Sequence, residues 1–552
     1  MSIPLYKSTS HEKFEDAKYG MFIHWGLYAI IERGEWVKFN ENIPHEEYEK
    51  LRDKFNPVNY SAEKWAGLMK KAGLKYVVVT ARHHDGFSMF ETKQFPEWSI
   101  MNTPYGKDMM KPLVEACRKN GIMFFFYYSL LDWTREDYKN DFYSYLSFMN
   151  KQLAELCENY GRIDGIWFDG VNFIIDWEKW DFDNLIKTIR IRQPHALICI
   201  NQAFLSEGNR ITVHGDVDFI TYEKHGIRPL YQAGPKYLAR ECCTTIGEDA
   251  WGYHSEEKCI TYKESLHGLV TNVCKGGNFL LNTGPDETGS VPQAHIERYL
   301  EIGKWLENNG ESVYGVRPSG LGIRKWGGAV VKENSIYFYI WEMPEDKIIS
   351  IERPDRKLKS LCALTGCVKI PFTIKDFEVE INLLHIDSSE PVLVLKGDLD
   401  GEPEWFKIEC EDYVSGGHEF HHHPITHTPL CKCYRHDDIG CQCIEEEPNG
   451  VAMLARKGIS YLYNVKIPGK GRMDVYLRAK DVVDNRATKE ELKVSVRKNG
   501  KEVIKQKKIR LKIDSFSYVS LGQIDFTDDE CFLALNIESG CGLIDFIKIV
   551  YC

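Results

Sequence analysis

Residues 161–172 read GRIDGIWFDGVN, in which a short apolar run ends abruptly at an acid followed by glycine. The acid is Asp169. In a barrel of alternating strands and helices the catalytic groups stand at the carboxyl ends of strands, so an aspartate placed there is a candidate for chemistry. Asp-Gly also marks ordinary solvated turns, and the flanking sequence has to decide between the two. It repeats the pattern. Short apolar runs recur at YGMFIHW, YVVVTARHHD, IMFFFYYSL, ALICINQ, DFITYE and NFLLNTGP. Helical spacing lies between most of them, as in Ala62 to Lys71 and Asp108 to Asn120, the latter with Gly121 where a C-cap is expected. Continuous apolar strands separated by amphipathic helices imply parallel strands buried on both faces. The expected fold is α/β, a (β/α) barrel of seven or eight strands. A doubly wound open sheet would favour a glycine-rich phosphate turn after its first strand, and FIHWG is not one.

At 552 residues the chain exceeds one typical domain and can bury a large core. Hydrophobic residues at 43% and aromatics at 12% mark a folded protein. A net charge of -11 with a pI near 6.0 provides no basic face, so neither nucleic acid nor an anionic membrane is an expected partner. The first twenty residues show no basic start leading into an apolar core, and no run approaches a membrane span. A cytoplasmic location is therefore expected. The 17 cysteines are odd in number and widely spread, which fits buried thiols in a reducing compartment better than a disulfide framework.

Three units are expected. The barrel occupies 1–311. From 312 to 398 the chain turns to short alternating segments such as GAVVKENSIYFYIW and CVKIPFTIKDFEVEINLL, the pattern of an antiparallel β-sandwich. KGDLDGEP, 396–403, reads as a linker. A second strand-rich unit, 404–552, follows, with no repeat period that would indicate a solenoid.

Chemistry-bearing residues gather at the strand ends of the barrel. His24 and Trp25 close the first run, Glu35 and Trp36 follow as GEW, and His83, His84 and Asp85 close the second. Tyr127 and Tyr128 end the third, Trp167 and Asp169 the fourth. Each alone has a packing explanation; four consecutive strands delivering such groups to one rim do not. Sugars need this mixture, because their hydroxyls demand donors and acceptors while their C–H faces pack on aromatic rings, and a glycosidase adds two carboxyls flanking the scissile bond. Zinc on His24, His83 and His84 is a competing use. It is disfavoured because the spacing is not helical and adjacent strand residues point to opposite faces unless the strand has ended.

These residues resemble the α-L-fucosidases of glycoside hydrolase family 29. KYGMFIHWGLY, GEW, YVVVTARHHDGFSMF, FYYSLLDW, IWFDG, AWGY and GGNFLLNTGP occur in the family's order over roughly residues 10 to 315. The resemblance implies a retaining double displacement with Asp169 as nucleophile, and a sugar pocket lined by His24, Glu35, Trp36, His83, His84, Tyr128 and Trp167. The implied substrate is a fucosylated oligosaccharide or small glycoside, and no cofactor is implied for catalysis. For the acid/base the resemblance points to Glu257, four residues after Tyr253, with Glu256 and Glu241 as alternatives. Here the chain departs from the family: Arg240 replaces the tryptophan of a Trp-Glu pair, and Cys242, Cys243, Thr244 and Thr245 stand where some members carry an arginine. A related sugar such as L-galactose is therefore an alternative substrate. A silent carbohydrate-binding barrel is the alternative class, disfavoured because the carboxylates are intact.

The last unit opens FKIECEDYVSGG and closes GLIDFIKI, resembling carbohydrate-binding modules of the family 6 and 35 type. That resemblance implies a structural calcium on Glu409, Glu411 and Asp545, hard oxygen donors suited to the ion. Within the unit lies HEFHHHPITHTPLCKCYRHDDIGCQC. Its His421, His422, His423 and His427 with Cys431, Cys433, Cys441 and Cys443 form either a zinc site or a Cys/His-rich loop, since the spacing is C-x-C rather than C-x-x-C.

Overall fold

The computed structural model describes residues 8–171, 177–201, 204–207, 210–213, 216–224, 226–227, 238–248, 250–386, 390–401, 403–409, 415–418, 441–443, 451–456, 459–466, 471–480, 492–510, 517–527, 530–539 and 541–551. The barrel strands are β1 (Tyr19–Ile23), β2 (Tyr76–Arg82), β3 (Met123–Ser129), β4 (Gly165–Asp169) and β5 (Leu197–Ile200). A hairpin of β6 (Phe204–Glu207) and β7 (Arg210–Val213) intervenes, and β8 (Phe219–Glu223), β9 (Ala239–Thr245) and β10 (Asn278–Thr283) complete the set. The eight-stranded parallel sheet runs β5-β4-β3-β2-β1-β10-β9-β8. At the seam Asp218 joins the two edges: its N–H donates to the Ile198 carbonyl at 2.7 Å, and its Oδ2 accepts from the Ile198 N–H at 2.8 Å.

One barrel strand is absent from the list of apolar runs. β9 reads ARECCTT, which does not form an apolar run because its inward Glu241 breaks the pattern. Two hydrogen bonds inside the barrel satisfy that carboxyl, from the Tyr76 hydroxyl at 2.6 Å and the Trp167 indole N–H at 3.0 Å.

Alternation along each strand sorts side chains into two layers. Tyr76 and Val78, Phe125 and Tyr127, Trp167 and Cys243 face the barrel interior, and Phe14 from the helix Thr9–Ala17 plugs its lower end against Tyr76 and Phe219. Their neighbours in sequence pack outward beneath the helices, among them Ala62–Lys71 and Met110–Lys119.

After the helix Gln293–Asn309 the chain forms a five-stranded and a three-stranded antiparallel sheet around Phe338, Ile349, Val379 and Leu395. The stretch read as a linker is strand for most of its length, because Leu393–Asp400 pairs with both Ser335–Ile340 and Lys357–Ala363. The final unit stacks a six-stranded on a five-stranded antiparallel sheet over a core that includes Val475, Leu477, Leu535 and Ile549. Lys548 meets Glu352 of the preceding unit at 3.3 Å, both buried, and Phe377 stacks on Tyr518. No described helix is long and apolar enough to cross a membrane.

Candidate active site

The carboxyl ends of the barrel strands enclose a cavity of about 900 Å³. Asp169 enters it from the last position of β4. Gly170 then takes φ +76, and a Cβ there would press on Leu131 at 2.8 Å and the His84 ring at 3.0 Å, so the Asp-Gly pair ends the strand without blocking the site. Oδ2 of Asp169 accepts from the Tyr127 hydroxyl at 2.7 Å, and Oδ1 from the Asn201 amide at 3.0 Å. Both oxygens are held, and the carboxylate keeps an open approach from the cavity.

His24, His83 and His84 all line it. His83 and His84 lie beyond the end of β2, and their ring centroids are 4.1 Å apart, so the turn brings adjacent residues to the same space. His24 donates from Nδ1 to Asn282 Oδ1 at 2.7 Å, while the Asn282 amide donates to the Trp251 carbonyl at 2.7 Å. That fixes the tautomer and leaves Nε2 as an acceptor. Burial pushes His24 down to about 4 and His83 well below the usual histidine range. His84 is also lowered by burial, against the pull of Asp169. Ser129 gives its proton to the Leu131 carbonyl at 2.6 Å, so at 2.7 Å it accepts from His84 Nδ1, and Nε2 faces Asp169 Oδ2 at 3.7 Å. Neutral imidazoles with a free ring nitrogen are suited to hydroxyls rather than to anions.

Aromatic rings form the rest of the wall. Trp167 stacks on Tyr127 with centroids 5.5 Å apart, and Trp251 lies 5.3 Å from His24. At the mouth Trp36, Phe39 and Trp133 form a cluster, with Phe39 stacked on Trp133 at 5.6 Å. Phe39 is 58% exposed.

Three described carboxyls line the cavity, Asp132, Asp169 and Glu223. Asp132 is engaged with Arg82 at 3.1 Å and with the Thr134 backbone and hydroxyl. Glu223 ends β8 as Asp169 ends β4, bonds to Asn201 and Trp251, and is held above the usual carboxylate range by burial and then by the charge of Asp169. It was not singled out from the sequence, although DFITYE has the same form as IWFD, an apolar strand closed by an acid.

Several expected site residues lie elsewhere. Tyr128 points into the helical layer and donates to Gln152 Oε1 at 2.8 Å, because strand alternation turns Tyr127 inward instead. Glu35 is buried beside the cavity rather than on its surface; its Oε2 accepts the Trp251 and Gly252 N–H groups at 2.9 and 2.7 Å and so holds the loop that carries Trp251. Glu257 turns away toward His295 Nε2 at 2.8 Å, Glu256 is exposed, and Glu241 sits one layer below the cavity under Trp167. None of the three glutamates lines the cavity. In the last unit, Glu411, His421, His422, His423, His427, Cys431 and Cys433 lie outside the described residues. Glu409 pairs in register with Phe546, the residue after Asp545, and Cys441–Cys443 is a short strand.

A parallel barrel whose strand ends gather two carboxyls free of arginine among the described residues, neutral imidazoles and indoles around one cavity is the arrangement of a glycoside hydrolase. Residues 4–311 match the family model described as Alpha-L-fucosidase. The chain is 33% identical to Alpha-L-fucosidase isoenzyme 1 from Paenibacillus thiaminolyticus, over 71% of this chain and 99% of that one, with a TM-score of 0.65. It is 26% identical to a family 29 alpha-L-fucosidase from Bacteroides thetaiotaomicron, trapped as a covalent intermediate with 2-fluoro-fucosyl fluoride using a glutamate-to-glutamine mutant. That match covers 72% of this chain and 98% of the other, with a TM-score of 0.66. The alpha-L-fucosidase of Dictyostelium discoideum is 28% identical over 423 residues, 69% of this chain and 87% of that protein. The chain belongs to the alpha-L-fucosidase family, glycoside hydrolase family 29, and is a glycoside hydrolase.

Proposed function

We propose that this enzyme removes terminal α-L-fucose from fucosylated oligosaccharides or small glycosides by double displacement, with Asp169 as nucleophile and Glu223 as acid/base. The observation that carries this reading is the pairing of these two carboxyls across Asn201, neither engaged by an arginine among the described residues, in a cavity whose third described acid is neutralised by Arg82. An Asp169 oxygen attacks the anomeric carbon while Glu223 gives its proton to the departing oxygen. The resulting β-linked ester is then hydrolysed by water that Glu223 deprotonates. A raised carboxyl suits a proton donor near neutrality. His24, His83 and His84 take the ring hydroxyls, and Trp167 covers the apolar face and the C6 methyl. The trapped covalent intermediate of the Bacteroides relative supports a two-step course.

Azide separates the two roles. Asp169→Ala should lose most turnover and, with azide, release the β-azide by direct displacement. Glu223→Ala with an activated aryl fucoside should release the α-azide from the glycosyl-enzyme. Azide products of the same configuration from both variants would refute the assignment, and faster turnover of an aryl α-L-galactoside than of the fucoside would move the substrate.

We further propose calcium in the final unit on Glu409, Glu411 and Asp545. That Glu409 lies on the strand paired with the one carrying Asp545 supports it. Calcium should raise the unfolding temperature of the protein, and Asp545→Ala should cancel the rise.

A further inference from the structure

Glu257, Cys259 and His295 have no place in the sugar cavity, yet they converge. One carboxylate oxygen, the thiol sulfur and a ring nitrogen lie within 4.8 Å of one another. The first two sit on the loop after Trp251, where Cys259 forms a bridge with Gly247, and the third is near the start of the helix Gln293–Asn309.

His295 is the informative member. It is 2% exposed, and its Nδ1 is paired with the Thr283 hydroxyl at 2.8 Å. Its Nε2 lies 2.8 Å from Glu257 Oε1 but has no hydrogen-bond partner by direction. In the tautomer in which Nδ1–H donates to Thr283, Nε2 is left with a lone pair beside the Glu257 carboxylate, two donor atoms that one cation can share. Metal-bound histidines are commonly held in this way, the second ring nitrogen donating to a neighbouring oxygen. Gly247 supplies the room, because a Cβ there would overlap the Glu257 carboxylate.

We infer that Glu257, Cys259 and His295 form a binding site for a zinc-type divalent cation, with water completing four-coordination. The donor set selects the metal class: thiolate and imidazole favour zinc over calcium or magnesium. Small side-chain rotations bring three such atoms to the spacing of a tetrahedral site. The ion would tie the loop carrying Trp251, part of the cavity wall, to the last barrel helix. It is remote from bond cleavage and serves to position that wall.

The test uses the full-length protein, stripped of metal and titrated with zinc or with cobalt(II) as a spectroscopic probe. Bound metal is counted by elemental analysis in the wild type, in Cys259→Ser, in His295→Gln, and in a protein whose Cys431, Cys433, Cys441 and Cys443 are all serine. The expected result is one equivalent less zinc in Cys259→Ser and in His295→Gln than in the wild type, each variant retaining its circular dichroism. The four-serine protein should keep a cobalt–thiolate absorption band that adding Cys259→Ser removes. Zinc should raise the unfolding temperature of the four-serine protein but not of its Cys259→Ser derivative. Equal zinc in wild type and Cys259→Ser, or no thiolate band in the four-serine protein, would overturn the site and leave a metal-free contact between loop and helix.

Discussion

Tyr127 donates its hydroxyl proton to Asp169 Oδ2 at 2.7 Å from the strand adjoining the one that carries the carboxylate. Burial and the Asp169 charge hold the phenol well above its usual range, so it remains a donor throughout the working pH range. Its neighbour Tyr128 faces the opposite layer. The two positions therefore form a matched pair for experiment. Tyr127→Phe removes a hydrogen bond to a charged group and should lower kcat/KM on an aryl fucoside by about 10- to 100-fold. Tyr128→Phe loses only the bond to Gln152 and should cost about 1 kcal/mol of stability with little change in KM. Steady-state kinetics and denaturant unfolding of both variants check the assignment, and the reverse ranking would place Tyr128 at the sugar.

Glu223 should own the alkaline limb of the pH–rate profile. A general acid acts protonated, and burial with the Asp169 charge lifts this carboxyl above its ordinary 4.5, so kcat/KM should fall only as pH rises past that raised value. Glu223→Gln should abolish the limb. It should also slow natural fucosides by about 100-fold or more, and an aryl substrate with a good leaving group much less. Glu257→Gln should show neither effect; leaving-group dependence there would return the acid/base role to Glu257.

Glu241 links pH to stability rather than to rate. Its buried carboxyl is lifted from 4.5 to about 7, burial outweighing the bonds from Tyr76 and Trp167. The fold holds a proton that the unfolded chain releases near pH 4.5, so this group's contribution is fully present below that pH, declines as pH rises to about 7 and is constant above. The decline amounts to roughly 3 kcal/mol at most. Glu241→Gln, which stays neutral, should flatten that part of the curve, as measured by urea unfolding between pH 4 and 8.

On the proposed function, the exposed rings at the mouth should meet whatever is attached to the terminal sugar. Phe39→Ala should weaken binding of a fucosylated trisaccharide by about 1 kcal/mol, near the value of one aromatic contact, while leaving free fucose inhibition unchanged. Equal losses for both ligands would put Phe39 in contact with the fucose itself.

The order of barrel strands was legible because parallel strands buried on both faces are apolar throughout, and seven of the eight stand out in that way. β9 did not, since Glu241 is an interior residue made tolerable by distant partners, among them Tyr76 and Trp167, 165 and 74 residues away in sequence. Asp169, His24, His83, His84, Trp36 and Trp167 were readable as strand-end or loop residues of chemical character. Glu223 has the same signature, an acid closing an apolar strand, whereas the resemblance points to a loop glutamate.

What the sequence determined by itself was the barrel, the β-rich units that follow it and the rim at which the chemistry collects, because periodicity and strand-end position are local properties. Which side of each strand faces the cavity was decided only by the tertiary structure. A continuous apolar run carries no parity, so Tyr127 and Tyr128 are equivalent until the strands close around Phe14, Phe125 and Trp167. The choice among glutamates was decided in the same way. A carboxyl's role depends on what surrounds it, and the fold gives Glu223 the cavity beside Asp169, Glu241 the barrel interior and Glu257 the buried imidazole of His295.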